Sequence, residues 1–304
     1  MLKTIVVGVD GREGGRDALA LAGRLALLAG GELAALRAMP FDTYVGRGGG
    51  PQYNPIADAE AQRQVEQDLA EAGLTARTRL VPDASPARAL HRMAETVDAD
   101  VIVVGSTRHG AVGGVFAGDD AAATLHASSC AVAVAPRGLA DEAWKPVNRI
   151  GVGLNASAEA HQALGLAVAL ATDCGASLVV RTVVAASLAG ADRTAHDADR
   201  LERSRELAKL EVDEAVRDLA VEASGDVAVG TPVDELVELS RTVDLLVLGS
   251  RAWGPVRRTV IGSTAAKVMR RAHCPVLVLP RGAATGQPGE RDPGAARVEP
   301  SIAT

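Results

Sequence analysis

The residues best suited to chemistry in this 304-residue chain run from Gly249-Ser250-Arg251-Ala252 through Gly262-Ser263-Thr264. Gly249 follows the apolar run Leu245 to Leu248, and Gly-Ser-Thr opens a stretch with helical character expected to reach about Ala272. Free backbone N–H groups and the positive end of a helix dipole at Ser263 would receive an anion, with the hydroxyls of Ser250, Ser263 and Thr264 as further donors. That is phosphate chemistry. Arg251, Arg257 and Arg258 either add charge to a phosphate or are ordinary solvated arginines. The competing reading is a glycine-bearing strand-to-helix loop with a plain N-cap.

Gly105 to Gly118, after the run Val101 to Val104, has the same outline and a different end. Asp119-Asp120 stands where the other segment has Ser263-Thr264, and carboxylates both suit a helix N-terminus and repel a phosphate. This copy is expected to bind no triphosphate by that route. Asp10 and Asn155 each follow a strand-like run, and Asp10 is open to two roles, a nucleoside contact or a turn former before Gly11.

These segments repeat because the chain does. Ile5 to Asp10 matches Ile150 to Asn155 at an offset of 145, while Val103 to Ser106 matches Val247 to Ser250, and Ala135 to Gly138 matches Leu279 to Gly282, at 144. A near-constant offset of that size indicates a duplicated domain rather than a solenoid of short repeats. The expected organisation is domain one over 1–138, a linker over 139–149, domain two over 150–282, and a disordered tail over 283–304, where large apolar residues are few. The glycine-rich stretch from Asp42 to Asn54 reads as a mobile loop.

Within each unit, short β-branched runs alternate with segments of helical period, which predicts βαβ units and a parallel sheet covered on both faces. A helix over about Gly15 to Ala29 should stop at Gly30-Gly31, and Ser157 should cap one ending near Gly175. Ser85-Pro86 and Thr231-Pro232 pair a hydroxyl cap with a proline at the first helical position. In such sheets ligands bind beyond the carboxyl ends of the strands, where the segments above fall.

Composition excludes several classes of function. A formal net charge of −6 with scattered Lys and Arg gives no footprint for nucleic acid. No apolar run is long enough for a membrane span, and the N-terminus shows no secretory pattern, so the cytoplasm is the expected location. Cys130, Cys174 and Cys274 form no motif and are expected to be reduced packing thiols. The six histidines show no metal-ligand spacing, so no metal site is expected, and no catalytic constellation is found. Gly151-Val-Gly-Leu-Asn-Ala156 imitates a dinucleotide fingerprint, but the repeat puts its glycines inside a strand.

The Gly249 to Thr264 segment, followed by Ala272-His-Cys-Pro-Val-Leu-Val278, resembles the glycine-rich nucleotide loop and terminal strand of the universal stress protein family. With Asp10 closing the first strand and Gly230-Thr-Pro232 before a helix, the resemblance spans both units. It implies an α/β fold of two tandem doubly wound, open, parallel five-stranded sheets, Rossmann-like and similar to the adenine nucleotide alpha hydrolases. The last strands, Val132 to Ala135 and Val276 to Leu279, are expected to meet as an intramolecular pseudo-dimer, with a homodimer as a further option. The implied ligand is ATP, with or without Mg²⁺. Contacts are expected from Asn155, Gly249, Ser250, Arg251, Gly262, Ser263 and Thr264, and in the first unit from Asp10, Gly105 and Gly118. Ala252, and Asn155 in place of an aspartate, depart from the pattern in domain two, and Arg108, Asp119 and Asp120 depart from it in domain one. The alternatives to a regulatory nucleotide binder are a nucleotide-free scaffold and a slow ATP hydrolase.

Overall fold

The computed structural model describes residues 2–39, 55–106, 123–124, 128–185, 195–250 and 263–280. The expected mobile loop and disordered tail lie outside these residues, as do Arg108, Gly118, Asp119, Asp120, Arg251, Ala252 and Gly262.

The first half contains β1 (Thr4–Gly8), α1 (Glu13–Ala29), β2 (Glu32–Met39), α2 (Pro55–Glu71), β3 (Arg77–Pro82), α3 (Pro86–Val97), β4 (Val101–Gly105) and β5 (Ala131–Ala135). The second contains β6 (Arg149–Leu154), α4 (Ala158–Cys174), β7 (Ser177–Ala185), α5 (Ala195–Arg217), β8 (Ala223–Gly230), α6 (Pro232–Leu239), β9 (Leu245–Ser250), α7 (Ser263–Met269) and β10 (Val276–Pro280). All strands join one sheet in the order β3-β2-β1-β4-β5-β10-β9-β6-β7-β8. Each half is a parallel five-stranded, doubly wound unit. The halves meet where β5 and β10 pair antiparallel, with Val134 opposite Val276 and Val132 opposite Val278.

Burial on both faces explains the unbroken apolar strands. In β4, Val101 and Val103 pack on the side covered by α1, whereas Ile102 and Val104 pack on the side covered by α3. The same division continues across the joint, where Ala133 and Leu277 belong to one core layer and Val132 and Val278 to the other.

Helix ends follow the local chemistry of the sequence. The Ser85 hydroxyl accepts from Arg88 N, the Thr231 hydroxyl from Asp234 N, and Ser157 Oγ from Ala160 N, each satisfying a first-turn N–H. Gly30 and Gly175 end α1 and α4 with φ of 62° and 71°, where a side chain would be strained. At the opposite rim of the sheet, Asp100 Oδ2 accepts from the backbone of Lys3 (2.7 Å) and Thr4 (2.9 Å). Asp244 Oδ2 does the same for Asn148 and Arg149 (2.9 Å each). These two clamps set where β1 and β6 begin, and no local sequence pattern announces them.

The connection between the halves is held down rather than loose. Leu139 and Val147 are buried, and Asp17 on α1 accepts from Gly138 N (3.0 Å) and Ala140 N (2.9 Å). Burial pushes the Asp17 carboxyl above its ordinary range despite these two bonds.

Candidate functional site

Of the residues singled out by sequence, Asp10, Gly105, Asn155, Gly249 and Ser250 lie at or just beyond the carboxyl ends of their strands, with roles that are partly unexpected. Asp10 Oδ1 accepts from Arg12 N (3.0 Å) and Gly15 N (3.2 Å), so it organises the loop into α1. Its second carboxylate oxygen takes part in neither bond. Asn155 Oδ1 accepts from Ser157 N (2.9 Å), which leaves its Nδ2 uncommitted among the described residues. Both side chains are exposed. The turn-forming role of Asp10 is therefore realised, and an outward-facing polar atom remains beside it.

Gly105 and Gly249 are glycines for a reason different from the one expected. A Cβ at Gly105 would lie 1.9 Å from the Gly14 carbonyl oxygen, and one at Gly249 would lie 2.4 Å from the backbone of Glu159. The close approach belongs to the starts of α1 and α4, so each glycine lets a helix seat against the adjacent strand.

Ser250 closes β9 and is 2% exposed. Ser263 and Thr264 open α7, which packs against β9, and Ser263 is exposed. The helix ends at Met269 instead of running to Ala272, so its dipole is that of two turns only. Its first turn carries no acidic side chain, and Lys267 lies in its last. Gly118, Arg251 and Gly262 fall outside the described residues.

Two residues at the first domain's strand ends were missed by sequence reasoning. Ser106, the counterpart of Ser250, is 5% exposed and its Oγ has no hydrogen-bond partner among the described residues. Arg37, near the end of β2, has Nη1 buried without a partner among the described residues, 3.2 Å from where a Gly11 Cβ would sit. An arginine within the otherwise apolar run Leu33 to Met39 was the available signal. In the second domain Arg181 on β7 is fully engaged, donating to Asp226 (2.7 Å) and to the Glu235 carbonyl (2.9 Å).

The remaining candidates are structural. Burial pushes the Cys130 thiol up to about 11 and raises Cys274 further, which keeps both protonated and unreactive. His273 is shifted down, first by burial and then by the Arg241 charge. Among the described residues no group of His, Cys, Asp and Glu is arranged to hold a metal. Gly151 and Gly153 lie within β6, where added Cβ atoms would press on Leu239 and Leu236 of α6, so the dinucleotide-like motif is a packing feature.

The architecture is that of a tandem Rossmann-like α/β protein. The chain belongs to the universal stress protein family, whose profile matches residues 1–136 and 146–280. A universal stress protein of Mycobacterium tuberculosis is 34% identical over 71 residues, covering 23% of this chain and 24% of the relative. One from Methanocaldococcus jannaschii is 40% identical over 52 residues, 16% of this chain and 31% of the relative. The chain thus matches about a quarter to a third of the length of these relatives. The crystal structure of a universal stress protein from Archaeoglobus fulgidus superimposes with a TM-score of 0.65 at 20% identity, covering 93% of this chain and all of that one. At that identity the likeness is one of fold. No helix among the described residues is long and apolar enough to cross a membrane.

Proposed function

We propose that this universal stress protein binds ATP or a related adenine nucleotide in a regulatory role in the cytoplasm, mainly through the second domain. The observation that carries the reading is the opening of α7: an exposed Ser263 followed by Thr264, in a first turn free of carboxylates. Uncharged hydroxyl and amide donors from Ser250, Ser263, Thr264 and Asn155 suit phosphate and ribose oxygens. The hydroxyl oxygens also accept, which suits the waters of a Mg²⁺ that keeps most of its hydration. Gly249, Arg251 and Gly262 complete the proposed set. In the first domain Asp10, Gly105 and Gly118 form the weaker counterpart, because Asp119-Asp120 repels phosphate.

The domains are assigned to 1–138 and 150–282, joined by 139–149, with the β5–β10 pairing as an internal pseudo-dimer. No reaction is assigned, since no nucleophile and base are paired at the strand ends among the described residues. A nucleotide-free scaffold is the second reading, and a specific observation favours it: the fold itself accounts for Gly105, Gly249, Asp10 Oδ1 and Asn155 Oδ1. Native mass spectrometry of gently purified protein separates the two. Retained adenine nucleotide supports binding, and protein that stays bare even with added ATP and Mg²⁺ supports the scaffold.

A further inference from the structure

A recess lies on the outer side of α1, where the end of α2 and the inter-domain connection form its walls. Its volume is about 590 Å³, within the roughly 300–1,000 Å³ typical of small-molecule sites. Leu19, Leu27, Leu74 and Trp144 give it an apolar body. Leu27 is 68% exposed and Trp144 61% exposed, in a chain with only two tryptophans. Large apolar side chains left this open beside one another mark a surface that covers something.

The polar groups around the recess select among ligands. Asp68 lines it and is only 4% exposed; Gln64 donates to Oδ1 (3.0 Å), and Oδ2 is buried with no hydrogen-bond partner among the described residues. A buried acceptor without a donor costs about 1–3 kcal/mol, more for a charged group, so a ligand that brings a donor is rewarded there. Four carboxylates border the recess (Asp68, Glu71, Asp141, Glu142) against the cations Arg16 and Arg24. Arg16 is exposed and Arg24 half-buried, so among the charged groups that line the recess Asp68 alone is deeply buried. An indole face also attracts cations.

We infer that this recess is a binding site for a small organic cation with an apolar body, its ammonium directed to Asp68 and its body against Leu27 and Trp144. The site is independent of nucleotide binding at the strand ends. It is also specific to the first domain, because the connection that walls it runs from the end of β5 to β6.

Trp253→Phe leaves Trp144 as the single tryptophan reporter, and the probe is phenethylamine, protonated at neutral pH as a lysine side chain is. Saturable change in Trp144 emission is expected with the amine, at least about tenfold weaker with phenethyl alcohol, and weaker still with phenylacetate. Asp68→Asn, which retains the hydrogen-bonding shape, should weaken the amine at least about tenfold and leave the alcohol unchanged. Leu27→Lys, at an exposed position where folding is not at stake, should weaken the amine as well. No saturation, equal binding of amine and alcohol, preference for the carboxylate, or indifference to both substitutions would each overturn the assignment. ATP titrations of Asp68→Asn should match wild type, which keeps this site separate from the nucleotide reading.

Discussion

In the first domain Asp100 clamps the start of β1, Ser85 caps α3 and Gly105 admits α1; in the second, Asp244, Thr231 and Gly249 do the same for β6, α6 and α4. The residues that satisfy backbone or make room for it are duplicated. Other positions differ in sequence: Asp10 stands at the position of Asn155, and Asp119-Asp120 at that of Ser263-Thr264. The connection adds a further difference, since the buried Asp17 anchors it, whereas Gln162 at the same offset is exposed. The clamps, caps and close approaches are requirements of the fold in either copy, while a ligand contact is required only where a ligand binds. The two domains can therefore share an architecture and differ in chemistry.

The largest effects should fall on both domains alike. Gly105→Ala and Gly249→Ala each drive a methyl into helix backbone, and each should cost at least about 3 kcal/mol in urea unfolding or prevent folding. If only one is damaging, the glycines are not equivalent packing elements and the comparison breaks.

Asp17 should separate the domains. Asp17→Ala strands two backbone N–H groups and should cost about 2 kcal/mol, whereas Gln162→Ala should stay within about 0.5 kcal/mol. Because burial raises the Asp17 carboxyl above 3.8, the native state holds this proton more tightly than the unfolded chain does. The stability of wild type relative to Asp17→Asn should therefore be greatest below pH 3.8 and decline as pH rises through the raised native value. A difference that grows with pH would show that the two hydrogen bonds outweigh desolvation.

The smallest effect concerns Gly165 in α4, which occupies the position of Ala20 in α1. It is exposed, and a Cβ there would meet nothing within 4 Å. Gly165→Ala should stabilise by about 0.5–1 kcal/mol, seen as a higher urea midpoint with unchanged slope.

Local signals made much of this legible before any coordinates. Ser85-Pro86, Thr231-Pro232, Ser157 and Gly30 carry their caps in two to four residues, and the repeat offset aligned Gly151 and Gly153 with a strand. The pairing of Val132 to Ala135 with Val276 to Leu279 followed from the family resemblance. What escaped depends on contacts between distant residues. Asp100 meets Lys3 and Asp17 meets Gly138 only after folding, and Gly105 resembles a ligand-loop glycine until α1 is seen against it. The same holds for Arg37, whose burial beside Gly11 needs α2 in place.

The asymmetry between the strand ends is tested most directly by calorimetric titration with ATP and Mg²⁺, on wild type and on Ser263→Asp. The account predicts one site per chain in wild type. The substitution, which copies Asp119 into the second domain, should weaken that site by about 2 kcal/mol or more through a lost donor and like-charge repulsion. Two equal sites, no site, or a single site untouched by Ser263→Asp would contradict it.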